Sequence, residues 1–174
     1  MKIPTIMSLV KKAKTINLYI KDNQQWISEG HAAYAIHCLP PLDENSVCII
    51  AGIPEDKRGD YTINADDKWI PAFDDSSIVH PTLDSGSILI THGGKTMAVL
   101  RTAGGVVFFI DSKYLRPLAD VRTDPLSFLL IDDSTDPMIL VRAGLINVAL
   151  ILPIIPGEEM MNELGSIIEG AYIK

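Results

Sequence analysis

Cysteine is nearly absent. Two in 174 residues, Cys38 and Cys48, are too few for a disulfide framework. Both lie in apolar, strand-like surroundings, which points to buried free thiols in a reducing cytoplasm. The N-terminus lacks the apolar core and small-residue cleavage site of a secretory signal. No run is apolar enough to cross a membrane: residues 138–156 come nearest, but Arg142, Gly144, Asn147 and Pro153 interrupt them as a β-hairpin would. A cytoplasmic location and no membrane partner are expected.

Catalytic patterning is missing as well. His31, His37, His80 and His92 are scattered, and His31 with His37-Cys38 lacks the spacing of a zinc site. Gly93-Gly94-Lys95 has neither the upstream glycine nor the following Ser or Thr of a phosphate loop, so it reads as a hairpin turn. The pairs Asp66-Asp67, Asp74-Asp75 and Asp132-Asp133 sit in turn-like sequence, where aspartate bonds its own backbone. Ser112 and Ser127 have no partnered histidine, and no G-x-S-x-G elbow occurs. The expectation is a non-enzymatic protein without cofactor or metal.

What is present is a folded, acidic chain with an uneven charge map. Apolar residues make up 47% and charged residues 21%, enough to build a core in one domain. The net charge is −7, yet residues 1–21 carry Lys2, Lys11, Lys12, Lys14 and Lys21 and no acid. Residues 43–84 hold ten acids against Lys57, Arg58 and Lys68. The first helix, capped at Thr5, is expected to place Ile6, Leu9, Val10 and Ala13 on a core-facing stripe. Ser8, Lys11, Lys12 and Thr15 then fall opposite, either as a solvated face or as a binding face.

The layout of residues 106–153 reads as strand, short helix, strand, strand, strand. An apolar run at 106–110 leads through Asp111-Ser112 into a helix at 113–120, kept short or irregular by Pro117. Strands follow at 126–131, 138–142 and 146–152. Fainter repetition appears at residues 2–40, with strands at 16–20, 25–29 and 32–39; residues 25–40 and 138–153 have equal length and both end in Leu-Pro. Residues 47–51 read as a further short apolar strand. Strands at 88–91 and 96–101 flank the turn His92-Gly-Gly-Lys95. Residues 54–87 read as an acidic connection with some strand of its own. After Pro156, Met160, Met161, Leu164, Ile167 and Ile168 recur at helical spacing, an amphipathic helix that docks on its own sheet or on a neighbouring subunit.

Val107-Phe-Phe-Ile-Asp-Ser-Lys-Tyr-Leu-Arg-Pro-Leu118, followed by a strand and by Asp136-Pro-Met-Ile-Leu-Val141 and Val148-Ala-Leu-Ile-Leu-Pro153, resembles the closing segment of DNA sliding clamps, the polymerase processivity factors. In that family a strand leads into an asparagine-type cap, a Lys/Arg-Tyr-Leu helix, and final strands with a Met/Leu-Pro ending. The resemblance covers residues 88–153 by sequence and 2–51 by layout. It implies an α+β, clamp-like fold: two β-α-β-β-β repeats, at 1–53 and 88–156, with helices on one face of an antiparallel sheet. Residues 54–87 would connect them in a single domain 1–156, and 157–174 would add the C-terminal helix.

The resemblance further implies a phage or mobile-element relative that binds duplex DNA without sequence preference. Lys11, Lys12, Lys14, Lys113 and Arg116 would face phosphates, while Val148, Leu150 and Leu152 would dock a DNA polymerase or other replication protein. Family members string two or three such domains, so this chain would need a homo-oligomer of about six copies to encircle DNA. The alternative is a clamp-fold protein-binding or structural module that does not encircle DNA.

Overall fold

The computed structural model describes residues 1–21, 24–37, 39–65, 82–85, 88–121, 125–131 and 137–172, without the side chains of Lys21 and of residues 166–172. The elements in chain order are α1 (Ile3–Ala13), β1 (Thr15–Lys21), β2 (Gln24–Ser28), β3 (Ala32–Ile36), α2 (Glu44–Ala51), β4 (Thr62–Ala65), β5 (Thr82–Leu83), β6 (Leu89–His92), β7 (Lys95–Arg101), β8 (Val107–Asp111), β9 (Leu126–Ile131), β10 (Met138–Ala143), β11 (Ile146–Ile151) and α3 (Glu158–Tyr172). Short 3-10 segments occupy Glu55–Asp60, Ser112–Tyr114 and Arg116–Leu118. The fold is α+β.

Eight strands form one sheet in the order β4-β1-β2-β3-β11-β10-β9-β5. Two antiparallel meanders, β1-β2-β3 and β9-β10-β11, meet at its centre, where β3 and β11 pair antiparallel with Tyr34 opposite Ala149. Moving outward from that junction, each side runs backward along its own meander. The sheet is mixed rather than wholly antiparallel, because β4 pairs parallel with β1. A second sheet, β6-β7-β8, has the expected two-residue turn, with Gly93 and Gly94 at φ 56 and 74, the positive values that hairpin turns of this kind need.

Several further expectations are corrected. Residues 47–51 belong to helix α2, not to a strand. The Asp43 carboxylate accepts from the Ser46 amide at 2.7 Å, the Ser46 hydroxyl accepts from the Asp43 amide at 2.8 Å, and Gly52 ends the helix in the left-handed region. A five-residue apolar run suits either structure, and the reciprocal cap selects the helix. The first helix starts at Ile3 rather than after a cap at Thr5, with Pro4 in its first turn, where a missing amide costs nothing. No strand precedes it among the described residues, so the first unit is α-β-β-β.

The segment after β8 forms two 3-10 turns in place of a helix, because Pro117 has no amide to continue one. Both lie with α1 and α2 on one face of the eight-stranded sheet. There Ile6, Val10, Val47 and Leu118 pack against Ile16, Ile27, Ile139 and Ile151. The opposite face carries its own buried cluster, including Tyr19, Trp26, Leu140 and Leu150. Strands apolar on both faces explain why β3, β10 and β11 read as near-continuous apolar runs.

Helix α3 packs on its own chain's smaller sheet: Leu164 is buried among Ile90, Met97, Val99 and Phe109. His92 adds a pair with Glu163, at 3.5 Å. Of the connection at 54–87, residues 54–65 and 82–85 are described and include the first 3-10 segment, β4 and β5; residues 66–81 and 86–87 lie outside the described set, as does Cys38, while Cys48 is buried. No described helix is long and apolar enough to cross a membrane.

The α2 cap carries a pH dependence. The Ser46 side chain and amide hold the Asp43 carboxyl below its ordinary value of 3.8. A depressed carboxyl contributes stability at pH above its unfolded value and loses it as the pH falls through the folded one. Exchange of the Ser46 amide is therefore expected to accelerate, relative to β10 amides, only below the ordinary aspartate range. An unchanged ratio down to full carboxylate protonation would show that the cap does not depend on this charge.

Candidate nucleic-acid interface

Lys11 and Lys12 occupy the last turn of α1, and Lys14 caps it at φ 55; all three side chains are exposed. The Lys11 ammonium sits 4.0 Å from where a Cβ on Gly52 would be, over the C-terminal end of α2. The partial negative charge of that helix end favours it there. Among the described residues none of the three forms an ion pair.

The second basic pair lies beside the start of α1. The Lys2 amide donates to the Pro117 carbonyl at 2.8 Å, and the Lys2 ammonium pairs with Asp120 at 3.1 Å. These contacts tie α1 to the 3-10 turns. Arg116 projects from the second turn, exposed and without an ion pair among the described residues. Lys113 is more committed: its ammonium lies 3.1 Å from Asp111 and 4.5 Å from the Tyr114 ring centre. Partial burial works against its charge, but bonding to Asp111 and Tyr114 outweighs this and raises its pKa. At 1.5 Å rise per residue, the cations at the far end of α1 stand about 14 Å from Lys2. The five cations thus fall into two groups on the helical layer.

A buried network that the sequence did not reveal supports the Lys113 segment. The Tyr34 hydroxyl, rooted in central strand β3, donates to the Tyr114 carbonyl at 2.8 Å, and burial pushes that phenol far above its ordinary pKa. His31 stacks on the Tyr114 ring with 6.3 Å between centres and 12° between planes. Glu29, almost fully buried, accepts from the His31 and Ala32 amides at 2.9 and 3.1 Å and fixes the turn that carries His31. Burial, then the Glu29 charge, raises the Tyr114 pKa. Tyr34 and Tyr114 are 80 residues apart, a pairing no local pattern encodes.

The residues expected to dock a partner are placed differently from the cations. Val148 and Leu150 are 4% and 5% exposed, in the clusters on opposite faces of the sheet, so neither offers a surface. Leu152 is half-buried beside Leu150. A groove of about 610 Å³ lies instead at the other end of β11, with a mixed lining in which Ile20, Leu39, Leu145 and Ile146 stand beside Gln24, His37 and Asn147. Among the described residues no group of three or more His, Cys, Asp and Glu side chains could hold a metal ion. Comparison with protein-family models, with curated proteins and with solved structures gives no match.

Proposed function

We propose that this protein is a DNA sliding-clamp-like, non-enzymatic factor that binds duplex DNA without sequence preference as an oligomeric ring and docks replication proteins. The observation that carries the proposal is the arrangement of the helical layer. Helix α1 and the 3-10 turns lie side by side on one face of a sheet built from two meanders, and Lys11, Lys12, Lys14, Lys113 and Arg116 extend from them in a chain of net charge −7. Phosphate contacts of this kind are sequence-blind and salt-sensitive.

Ring formation would use the outer sheet edges. Among the described residues no strand pairs with the outer edge of β4, β5 or β6, and β6 carries the exposed Leu89. Such edges are templates for pairing with another copy. Light scattering tests this: a concentration-independent mass of about six chains supports a closed ring, and a strict monomer ends the ring proposal. The second reading, a clamp-fold module that does not encircle DNA, draws on two observations. The second basic segment is only two 3-10 turns, and Lys113 already has Asp111 as counter-ion.

A further inference from the structure

On the reading of this chain as a duplex-binding protein, on which the inference rests, we infer that Arg58 is a further phosphate contact, completing a cationic corner with Lys11, Lys12 and Lys14. The corner follows from topology. Strands β1 and β4 pair parallel, with Thr15 opposite Thr62, so the segments that lead into them arrive at the same end of the sheet. One is the end of α1, which carries the three lysines; the other is the 3-10 segment Glu55–Asp60, which carries Arg58. Two consecutive amides join them: Tyr61 donates to the Arg58 carbonyl and Thr62 to the Lys14 carbonyl, each at 3.0 Å. Lys11 reaches over Gly52, on the chain just ahead of the same segment.

Arg58 is uncommitted within the protein. The residue is half-buried, and its Nε is the one buried side-chain polar atom among the described residues that has no hydrogen-bond partner. Glu55, Asp56 and Asp60 lie exposed on the same segment, yet none forms an ion pair with it. Its charge therefore stays unneutralised. The Nε edge of a guanidinium offers two parallel N–H groups, which match two oxygens of one phosphate. An acceptor there would also pair a donor that is costly to leave unpaired. At this corner Lys11, Lys12, Lys14, Lys57 and Arg58 outnumber Glu55, Asp56 and Asp60, which favours an anion. Because the cations come from two segments, they suit a ligand that presents phosphates in series, as a duplex does.

Fluorescence anisotropy on a labelled duplex over a range of salt tests it, with Arg58→Gln, Arg58→Lys and, as a control of equal charge change, Lys95→Gln at the exposed start of β7. Arg58→Gln is expected to bind about tenfold more weakly than Lys95→Gln and to lower the salt slope by about one, equally for all duplex sequences. Arg58→Lys should restore the slope, because the charge returns, but only part of the affinity, because the fork does not. Equal losses in both Arg58 variants, with a matching drop in melting temperature, would mark a structural role and overturn the inference. Arg58→Gln that matches Lys95→Gln overturns it too, and leaves the DNA reading standing where Lys12→Glu with Lys14→Glu still weakens binding. A wild type that binds no duplex at low salt ends both. Melting in inorganic phosphate against chloride at equal ionic strength separates a free anion from DNA: stabilisation that Arg58→Gln abolishes, beside unchanged duplex affinity, overturns the assignment to DNA.

Discussion

Reversing two charges, Lys11→Glu with Lys12→Glu, is expected to lower affinity for duplex DNA by about 10²-fold or more at moderate salt and to reduce the salt slope by about two. Both side chains are exposed at the end of α1. Losing two phosphate contacts and adding two repulsions should act equally on all sequences. Lys113→Glu should cost less, because that ammonium already shares its charge with Asp111 at 3.1 Å. Lys11 also stabilises the C-terminus of α2, so Lys12→Glu with Lys14→Glu serves as the companion variant that leaves this contact intact. Fluorescence anisotropy on a labelled duplex at several salt concentrations reads both quantities. Unchanged affinity in both double variants would remove α1 from the interface.

Ile139→Ala is expected to lower the free energy of unfolding by about 2–5 kcal/mol. Ile139 has no exposed surface, lies in β10 between β9 and β11, and points into the cluster shared with α1, α2 and the 3-10 turns. Removing its methyl groups leaves a cavity that strands paired on both sides cannot close. Ile146→Ala, at the exposed start of β11, should fall within about 0.5 kcal/mol of wild type. Urea unfolding followed by tryptophan fluorescence distinguishes them, since Trp26 is buried in the same sheet. Equal effects would mean that the shared core does not carry the stability assigned to it.

Much of the strand layout was legible because it is local. Period and turn residues located β1 to β3 and β9 to β11, and glycines located the β6–β7 turn. Pro117 announced an irregular segment, which emerged as two 3-10 turns. Helix α2 was missed because its apolar residues at 47–51 fill consecutive positions and show no period. The parallel pairing of β4 with β1 and the burial of Val148 and Leu150 on opposite faces depend on contacts far apart in sequence. The candidate cations could be listed from sequence, but not their circumstances. Asp111 beside Lys113 is a sequence neighbour whose pairing needed side-chain geometry, and the Tyr34–Tyr114 bond needed the whole fold. The groove beside Leu145 escaped notice because three separate segments build it, joined by the Gln25 side chain.

Retention on circular against linear DNA tests the central claim most directly. Protein mixed with a nicked circular duplex at low salt, then passed through gel filtration at a salt concentration that weakens phosphate contacts, should elute with the circle. Cutting the circle once should release it, since a ring held by topology slides off an end. Equal retention on both forms, or equal loss from both, would contradict encirclement.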